Sequence, residues 1–448
     1  MSDTTATRPV SRAVVSRTTP RGYGGTGALV AVLTLLAVLL SPSGAGAAPP
    51  TSPLTTDPAD AAAGWLTGEL VDGDHLATEI DLDGDGIIDP ATEVFADYGL
   101  TADAIFAFAA AGSAGDAAEA ATDYLEANVA FYSGDGITES YAGSLAKLIL
   151  VADVMDLDPT DFGGQDLVTR LLAQQAADGR FSDVSAFGDF SNPIGQSLAI
   201  IGLERATTAG APTTAVDFLV SVQCADGGFV SDLTTLPCAT GEVDTTAVAV
   251  QALALMGRDA AVGAATDYLL GQQAADGSFA TPGFGSPPVT TPNSNSTGLA
   301  AQALRVLGHD GAADDAVGWL LDRQLGADAP QEQQGAFAFD ATGFDPANAT
   351  RATTQATPGV AGIGFADLVA PTDPLAYGLD VSGGGVLPPP PGGGPPPPAP
   401  APPPAPAPPA ELPATGAAPG GLIEVGTALL VIGVATTVLA RRRTHPHA

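Results

Sequence analysis

Apolar and polar positions divide the chain into three regimes. Residues 28–40 and 422–440 are nearly unbroken apolar runs, the second interrupted only by Glu424. Residues 59–379 instead alternate Ala-, Leu-, Ile- and Val-rich stretches with short polar loops, and residues 383–411 are almost wholly Pro, Gly and Ala. Within the alternating part, 141–155, 193–206, 245–256 and 297–307 predict helices buried on most of their surface. Ser140, Asn192 before Pro193, Asp244 and Ser296 stand where a helix start needs its free amides satisfied, and Gly257 and Gly308 where helices stop. The Pro-rich stretch can bury no core and predicts an extended stalk.

The alternating part repeats. Phe218-Leu219-x3-Gln223-x3-Gly227-x-Phe229 recurs as Tyr268-Leu269-x3-Gln273-x3-Gly277-x-Phe279, and residues 171–181 keep Gln175, Asp178, Gly179 and Phe181. Looser copies start at Trp65, Tyr124 and Trp319, so six units begin at residues 65, 124, 170, 218, 268 and 319. Each unit reads as a helix ending at the glutamine, an Asp-Gly turn, a phenylalanine that folds back on the turn, and a second helix. One such pair cannot bury its apolar faces alone, whereas six stacked in a closed ring can. The motif resembles the QW repeats of the prenyltransferase and squalene-cyclase superfamily, with Phe in place of the usual Trp. That resemblance implies an all-α fold, an (α/α)6 toroid of six helix-pair repeats with the first helices outside and the second inside.

The two apolar runs read as processing signals. Arg8, Arg12, Arg17 and Arg21 precede the first, and the small residues 45–47 follow it, the order of an N-terminal signal peptide. The second has the length of a transmembrane helix and is followed by Arg441, Arg442 and Arg443, which places the preceding chain outside the cell. Leu412, Pro413, Ala414, Thr415 and Gly416 stand just upstream. This tail resembles the LPxTG sorting signal of Gram-positive wall proteins. It implies sortase and peptidoglycan as partners, membrane contact only before sorting, and a protein secreted and covalently attached to the cell wall. The predicted layout is a signal peptide over 1–47, a linker over 48–58, the toroid over 59–382, a stalk over 383–411 and the sorting signal over 412–448.

Charge and cysteines narrow the chemistry. Between the two processing points eight Lys and Arg face 48 Asp and Glu, a net of −40. Such a balance excludes nucleic acid, whose binding rests on basic side chains at phosphates. Cys224 and Cys238, the only cysteines, flank a Gly-Gly loop in an exported segment and predict a disulfide. Neither a zinc site nor a nucleotide site is legible. Asp81, Asp83, Asp85 and Asp89 fall at positions 1, 3, 5 and 9 of a loop with Gly86 at position 6. That spacing resembles an EF-hand calcium loop, with the position-7 carbonyl on Ile87 and the closing carboxylate one residue late, at Glu93.

Catalytic signatures are missing. The chain carries neither the DxDD motif of squalene-type cyclases nor the Asp, Cys and His zinc set of protein prenyltransferases. The reading that follows is a binding or adhesive module whose ligand sits in the barrel mouth, at Tyr141, Asn192, Gln196, Asp244, Asn295 and Arg351. The other reading is an exported glycan hydrolase or lyase, or a terpenoid cyclase-like enzyme using the toroid cavity. For the hydrolase, Glu139, Asp183, Asp189 and Asp244 lie in the loops that lead into the predicted inner helices.

Overall fold

The computed structural model describes residues 52–82, 87–281 and 290–382. Among these the chain forms α1 (Pro58–Glu69), α2 (Tyr98–Ala111), α3 (Gly115–Ala127), α4 (Val129–Ser133), α5 (Ala142–Val154), α6 (Leu167–Ala173) and α7 (Pro193–Ala206). It continues with α8 (Thr213–Ser221), α9 (Val243–Leu255), α10 (Asp259–Gln272), α11 (Ser294–Val306), α12 (Asp310–Leu321) and α13 (Pro346–Ala361). Four short strands accompany them: β1 (Leu54–Thr55), β2 (Ala77–Glu79), β3 (Val94–Ala96) and β4 (Gly378–Leu379). No helix among the described residues is long and apolar enough to cross a membrane. The predicted signal peptide, stalk and sorting signal lie outside those residues.

Helices α2, α5, α7, α9, α11 and α13 touch in that order and close into a ring where α13 meets α2. Helices α1, α3, α6, α8, α10 and α12 lie outside it, each packed on an inner helix. All six predicted unit starts fall on these outer helices. The inner ring is tight because its helices meet through small residues. A Cβ on Gly298 would lie 2.3 Å from the Gln355 carbonyl oxygen, and one on Gly359 would lie 2.4 Å from the Gly298 oxygen. Only a residue without a side chain lets α11 and α13 approach so closely.

The repeated motif is a clasp between successive units. The amides of Gln223, Gln273 and Gln324 donate to the turn carbonyls of Gly227, Gly277 and Gly335 at 2.8, 3.1 and 3.0 Å. The same amides reach the start of the next outer helix, at the carbonyls of Ala261, Ala312 and Pro58. Gln175 reaches Gly179 and the Thr214 hydroxyl instead. Each clasp phenylalanine, Phe181, Phe229, Phe279 and Phe337, is fully buried. Its backbone N–H donates into the inner helix, to Gln196 in the first clasp and to Thr246, Thr297 and Thr353 in the others. The contact from Gln324 to Pro58 joins the last unit to the first. Parallel pairing of β1 with β4 and the bond from Trp65 Nε1 to the Glu332 carbonyl close the ring alongside it.

The helix starts differ in detail from the sequence expectation. Asn192 caps α7 by accepting from Gly195 N, as predicted. Elsewhere the cap is displaced: Tyr141 precedes α5, Glu242 precedes α9, and Asn293 caps α11 by accepting from Ser296 N. Ser140 therefore does not cap α5. The amide of Ala142 is taken by Asp183 from the following loop, at 2.8 Å. Cys224 and Cys238 form the predicted disulfide, with their Cα atoms 4.8 Å apart.

Candidate functional site

The barrel has two chemically different ends. At the C-terminal ends of the inner helices, the chain leaving α13 folds across the lumen as a floor over residues 362–368. Arg205 on α7 donates to the carbonyls of Phe365 and Leu368 at 2.8 and 2.6 Å, and pairs with Asp153 of α5 at 2.6 Å. Gln251 of α9 accepts from Phe365 N at 3.1 Å and donates through Nε2 to Gln302 Oε1 at 3.2 Å. Gln302 of α11 donates to the Ile363 carbonyl at 2.8 Å. The Phe365 ring then meets Phe106 of α2 edge-on. Five of the six inner helices are tied to this one segment.

The opposite end, where the inner helices begin, is polar. Lys147 projects from the otherwise apolar α5 and pairs with Asp103 of α2 at 2.7 Å. It is the sole lysine of the chain. Burial alone would lower its ammonium; the Asp103 carboxylate and the Tyr132 phenol outweigh that and hold it above its ordinary value. Tyr132 is itself pushed up by burial, as is Tyr98, which stands at about 12. Arg351 of α13 approaches Asp97 at 3.6 Å, and Asp97 in turn caps α2 through Leu100 N. A ladder of rings, His75 on Tyr124, Tyr124 on Tyr98 and Tyr98 on Tyr132, leads from the outer layer to this cluster.

Four of the six predicted ligand-site residues face this end, and two serve the fold. Asp244 lies in the first turn of α9, where burial pushes its carboxyl up against the opposing hydrogen bond from Thr281 Oγ1, at 2.7 Å. Asn295 lies in the first turn of α11 with its Oδ1 buried and without a partner. Arg351 stands on α13, half exposed. Tyr141 donates its hydroxyl to Glu139 at 2.7 Å and is raised to about 12, chiefly by burial. Asn192 spends its side chain on capping α7. Gln196 is a correction: it is 3% exposed and turns outward, donating to the carbonyls of Gly179 and Ala215 as part of the first clasp. Sequence reasoning missed Lys147 and Asp103. The signal was there, since a lone lysine inside the apolar run 142–154 cannot be a solvated surface charge.

The acidic loop is held differently from an EF-hand. It is the connection of a hairpin, β2 against β3, not a link between helices. Glu93 is 4% exposed, and its two oxygens accept from the backbone amides of Leu82 and Asp89, both at 2.8 Å. Asp89 accepts from Ala91 N and the Thr92 hydroxyl. Glu93 thus latches the two ends of the loop together through backbone amides. Asp83 and Asp85 lie outside the described residues. Among the described residues no group of three or more His, Cys, Asp and Glu could hold a metal ion.

No family model matches the chain, and no curated protein matches it. The solved structures supply the fold. A type II terpene cyclase from Scytonema, holding geranylgeranyl dihydroxybenzoate, superposes with a TM-score of 0.50 at 13% identity, over 68% of this chain and 96% of that one. A glycosidase matches with a TM-score of 0.47 at 12% identity, over 69% and 97%. An ent-copalyl diphosphate synthase from Streptomyces platensis matches with a TM-score of 0.40 at 16% identity, over 70% and 66%. At such identities the likeness to the Scytonema cyclase establishes the α/α toroid and leaves the chemistry open.

Proposed function

We propose that the chain is an exported, wall-anchored surface protein whose toroid binds a polar ligand at the open end of its barrel. One observation carries the binding half: the open end gathers Lys147 with Asp103, Arg351 with Asp97, and the unpartnered Asn295 Oδ1 above a floor that closes the other end. Convergent polar groups suit a hydroxyl- or charge-bearing solute better than a polyene. The carboxylate of Asp103 is already the acceptor of an ammonium, so it is not disposed to protonate an alkene. Amine acylation reads the mouth directly, because Lys147 is the only side-chain amine. A saccharide or amino-acid ligand seated there slows its modification, followed by peptide mass spectrometry, and Arg351→Ala removes the protection. An unchanged acylation rate across a panel of such solutes rejects the reading.

The surface half rests on the sequence. Sortase would cleave after Thr415 and join the chain to peptidoglycan, with residues 383–411 as spacer. Replacing Thr415 and Gly416 by Ala should move the protein from the wall fraction to membrane and medium. Retention in detergent-extracted walls would end that proposal.

A second reading has one specific support. Asp244 is held toward its protonated form in the mouth, whereas Glu139 is held below its ordinary value because hydrogen bonds from Ser185 and Tyr141 outweigh burial. Carboxyls displaced in opposite directions are what a glycan hydrolase needs for an acid and a base. Reducing ends released from a polysaccharide, and lost in Asp244→Asn, would establish it. Calcium is proposed for the acidic loop through Asp81, Asp83 and Asp85, with the Ile87 carbonyl. Affinity in the range of roughly 10⁻⁴ to 10⁻³ M is expected, since Glu93 is committed to the backbone. Millimolar calcium that leaves the melting temperature unmoved would reject it.

A further inference from the structure

Large apolar side chains left in water mark contact surfaces when they are contiguous and held in place. Among the described residues the exposed phenylalanines are Phe131, Phe187 and Phe190, at 61%, 64% and 44%. Phe187 and Phe190 share one mouth-side loop with the exposed Val184, and Ile137, at 84%, projects from the loop beside it. The two loops are joined. Ser140 and Val184 exchange backbone hydrogen bonds at 2.7 and 2.8 Å, and Ala186 N donates to Glu139 Oε1 at 3.3 Å.

The display is braced from within. Asp183 N donates to Asp189 Oδ1, Phe190 N donates to Asp183 Oδ2, and Arg180 pairs with Asp189 at 3.1 Å. The phenyl rings therefore stand on a loop whose backbone amides are engaged, at the entrance to the lumen next to Tyr141.

The polar groups around the rings decide what can sit there. Glu139 is an ionised acceptor, and its neighbour Tyr141 is a phenol kept neutral well above physiological pH. The nearby guanidiniums are engaged: Arg180 with Asp189 and Ser191, Arg170 with Ser133, Gly134 and Gln165. A polyanion thus meets carboxylates with no unengaged guanidinium to answer it, in a chain that carries a net −40 between its two predicted processing points. A sugar ring without charge offers an apolar C–H face for the phenyls and a further hydroxyl donor for Glu139, whose oxygens already accept from the Tyr141 hydroxyl and Ala186 N and keep lone pairs to spare. We propose that Ile137, Tyr141, Val184, Phe187 and Phe190, with Glu139 as acceptor, form a rim that binds a neutral polysaccharide chain. This rests on the reading of the open end as the ligand-binding end, and names the chemical class of the ligand.

Affinity electrophoresis of the mature chain through gels cast with soluble starch, mannan, xylan or galactan tests it. At least one neutral polysaccharide retards the protein. Phe187→Ala/Phe190→Ala weakens that retardation at least tenfold without moving the melting temperature, since both rings are solvated, and Glu139→Gln weakens it too. The proposal is overturned if none of the gels retards the protein, if retardation survives the double substitution, or if a lysine-rich peptide binds the rim in place of a polysaccharide. Protection of Lys147 that depends on Arg351, with the rim substitutions silent, would leave the mouth reading standing and remove the rim. Rim-dependent retardation with Lys147 never protected would do the reverse.

Discussion

The two ends of the barrel each carry a lysine- or arginine-to-aspartate pair that is buried to nearly the same degree. Side-chain exposures are 15% and 18% for Arg205 and Asp153 at the floor, and 18% and 17% for Lys147 and Asp103 at the mouth. What differs is the company they keep. Arg205 also satisfies the carbonyls of Phe365 and Leu368, which lie in a non-helical segment with no ladder to serve them. Lys147 adds one long bond, 3.3 Å to the Gly99 carbonyl. Similar burial of charge therefore means two things: at the floor the pair is structural cement for an irregular segment, and at the mouth it is a polar pair that the fold can spare.

The largest expected effect tests that contrast. Arg205→Ala should cost about 3–5 kcal/mol in urea denaturation, since it strands Asp153 and two carbonyls. Replacing both partners separates the ends more sharply. Arg205→Met with Asp153→Leu should still destabilise by about 2 kcal/mol, because the Phe365 and Leu368 carbonyls remain unmet. Lys147→Met with Asp103→Leu should be neutral or stabilising, as charge pairs exchanged for apolar groups often are. Equal losses from the two double variants would erase the distinction. Hydrogen exchange adds a second readout: the Phe365 amide should open early in Arg205→Ala and stay protected in the mouth variant.

A middle-sized effect belongs to the loops that lead to the mouth. The Cys224–Cys238 bond spans a separation of 14 residues, just before α9. Replacing both cysteines by Ser should cost about 3 kcal/mol on the chain-entropy account. The loss should appear in the global transition, because the Gly227 clasp that holds α10 lies inside the same loop. A melting curve that does not move would mean that the clasp alone holds this part of the rim.

Much of this architecture is legible before folding, and the parts that are not share a cause. Helices α5, α7, α9 and α11 fall within three residues of their predicted limits, since their Ala- and Leu-rich runs are bounded by caps and glycines. Helix α13 gives no such signal: Thr353, Thr354 and Thr357 are buried, and their hydroxyls return to carbonyls three or four residues back, so a buried face is written in polar letters. Helix α2 is apolar on nearly every side and shows no stripe. The fourth clasp is hidden because ten residues, 325–334, stand between Gln324 and Gly335 where the other clasps have three. The mouth itself is the least legible, because Asp103 meets Lys147 only when α2 packs on α5, and Asp97 meets Arg351 only when the ring closes. Gln196 shows the opposite error, a repeat-phase residue read as lining the lumen when its phase is that of the clasp threonines.

The smallest expected effect concerns Asp244, the mouth carboxyl that burial pushes above its ordinary value of 3.8. A carboxyl raised in the folded state binds a proton more tightly there than in the unfolded chain. The folded state then holds more protons between the two values, so stability falls as pH rises through that window and stays lower above it. Each unit of upward displacement is worth about 1.4 kcal/mol at neutral pH. Asp244→Asn removes the titration and keeps an acceptor for the Thr281 hydroxyl. It should therefore flatten the pH dependence of stability upward of pH 4 and leave the protein slightly more stable than the parent at pH 7. The floor offers no such gain, because its aspartate sits opposite a guanidinium that needs the charge. If Asp244→Asn instead lowers stability at pH 7, its carboxylate is held by a partner in the mouth. The open end would then be cemented as the floor is, and the contrast between the two ends would fail.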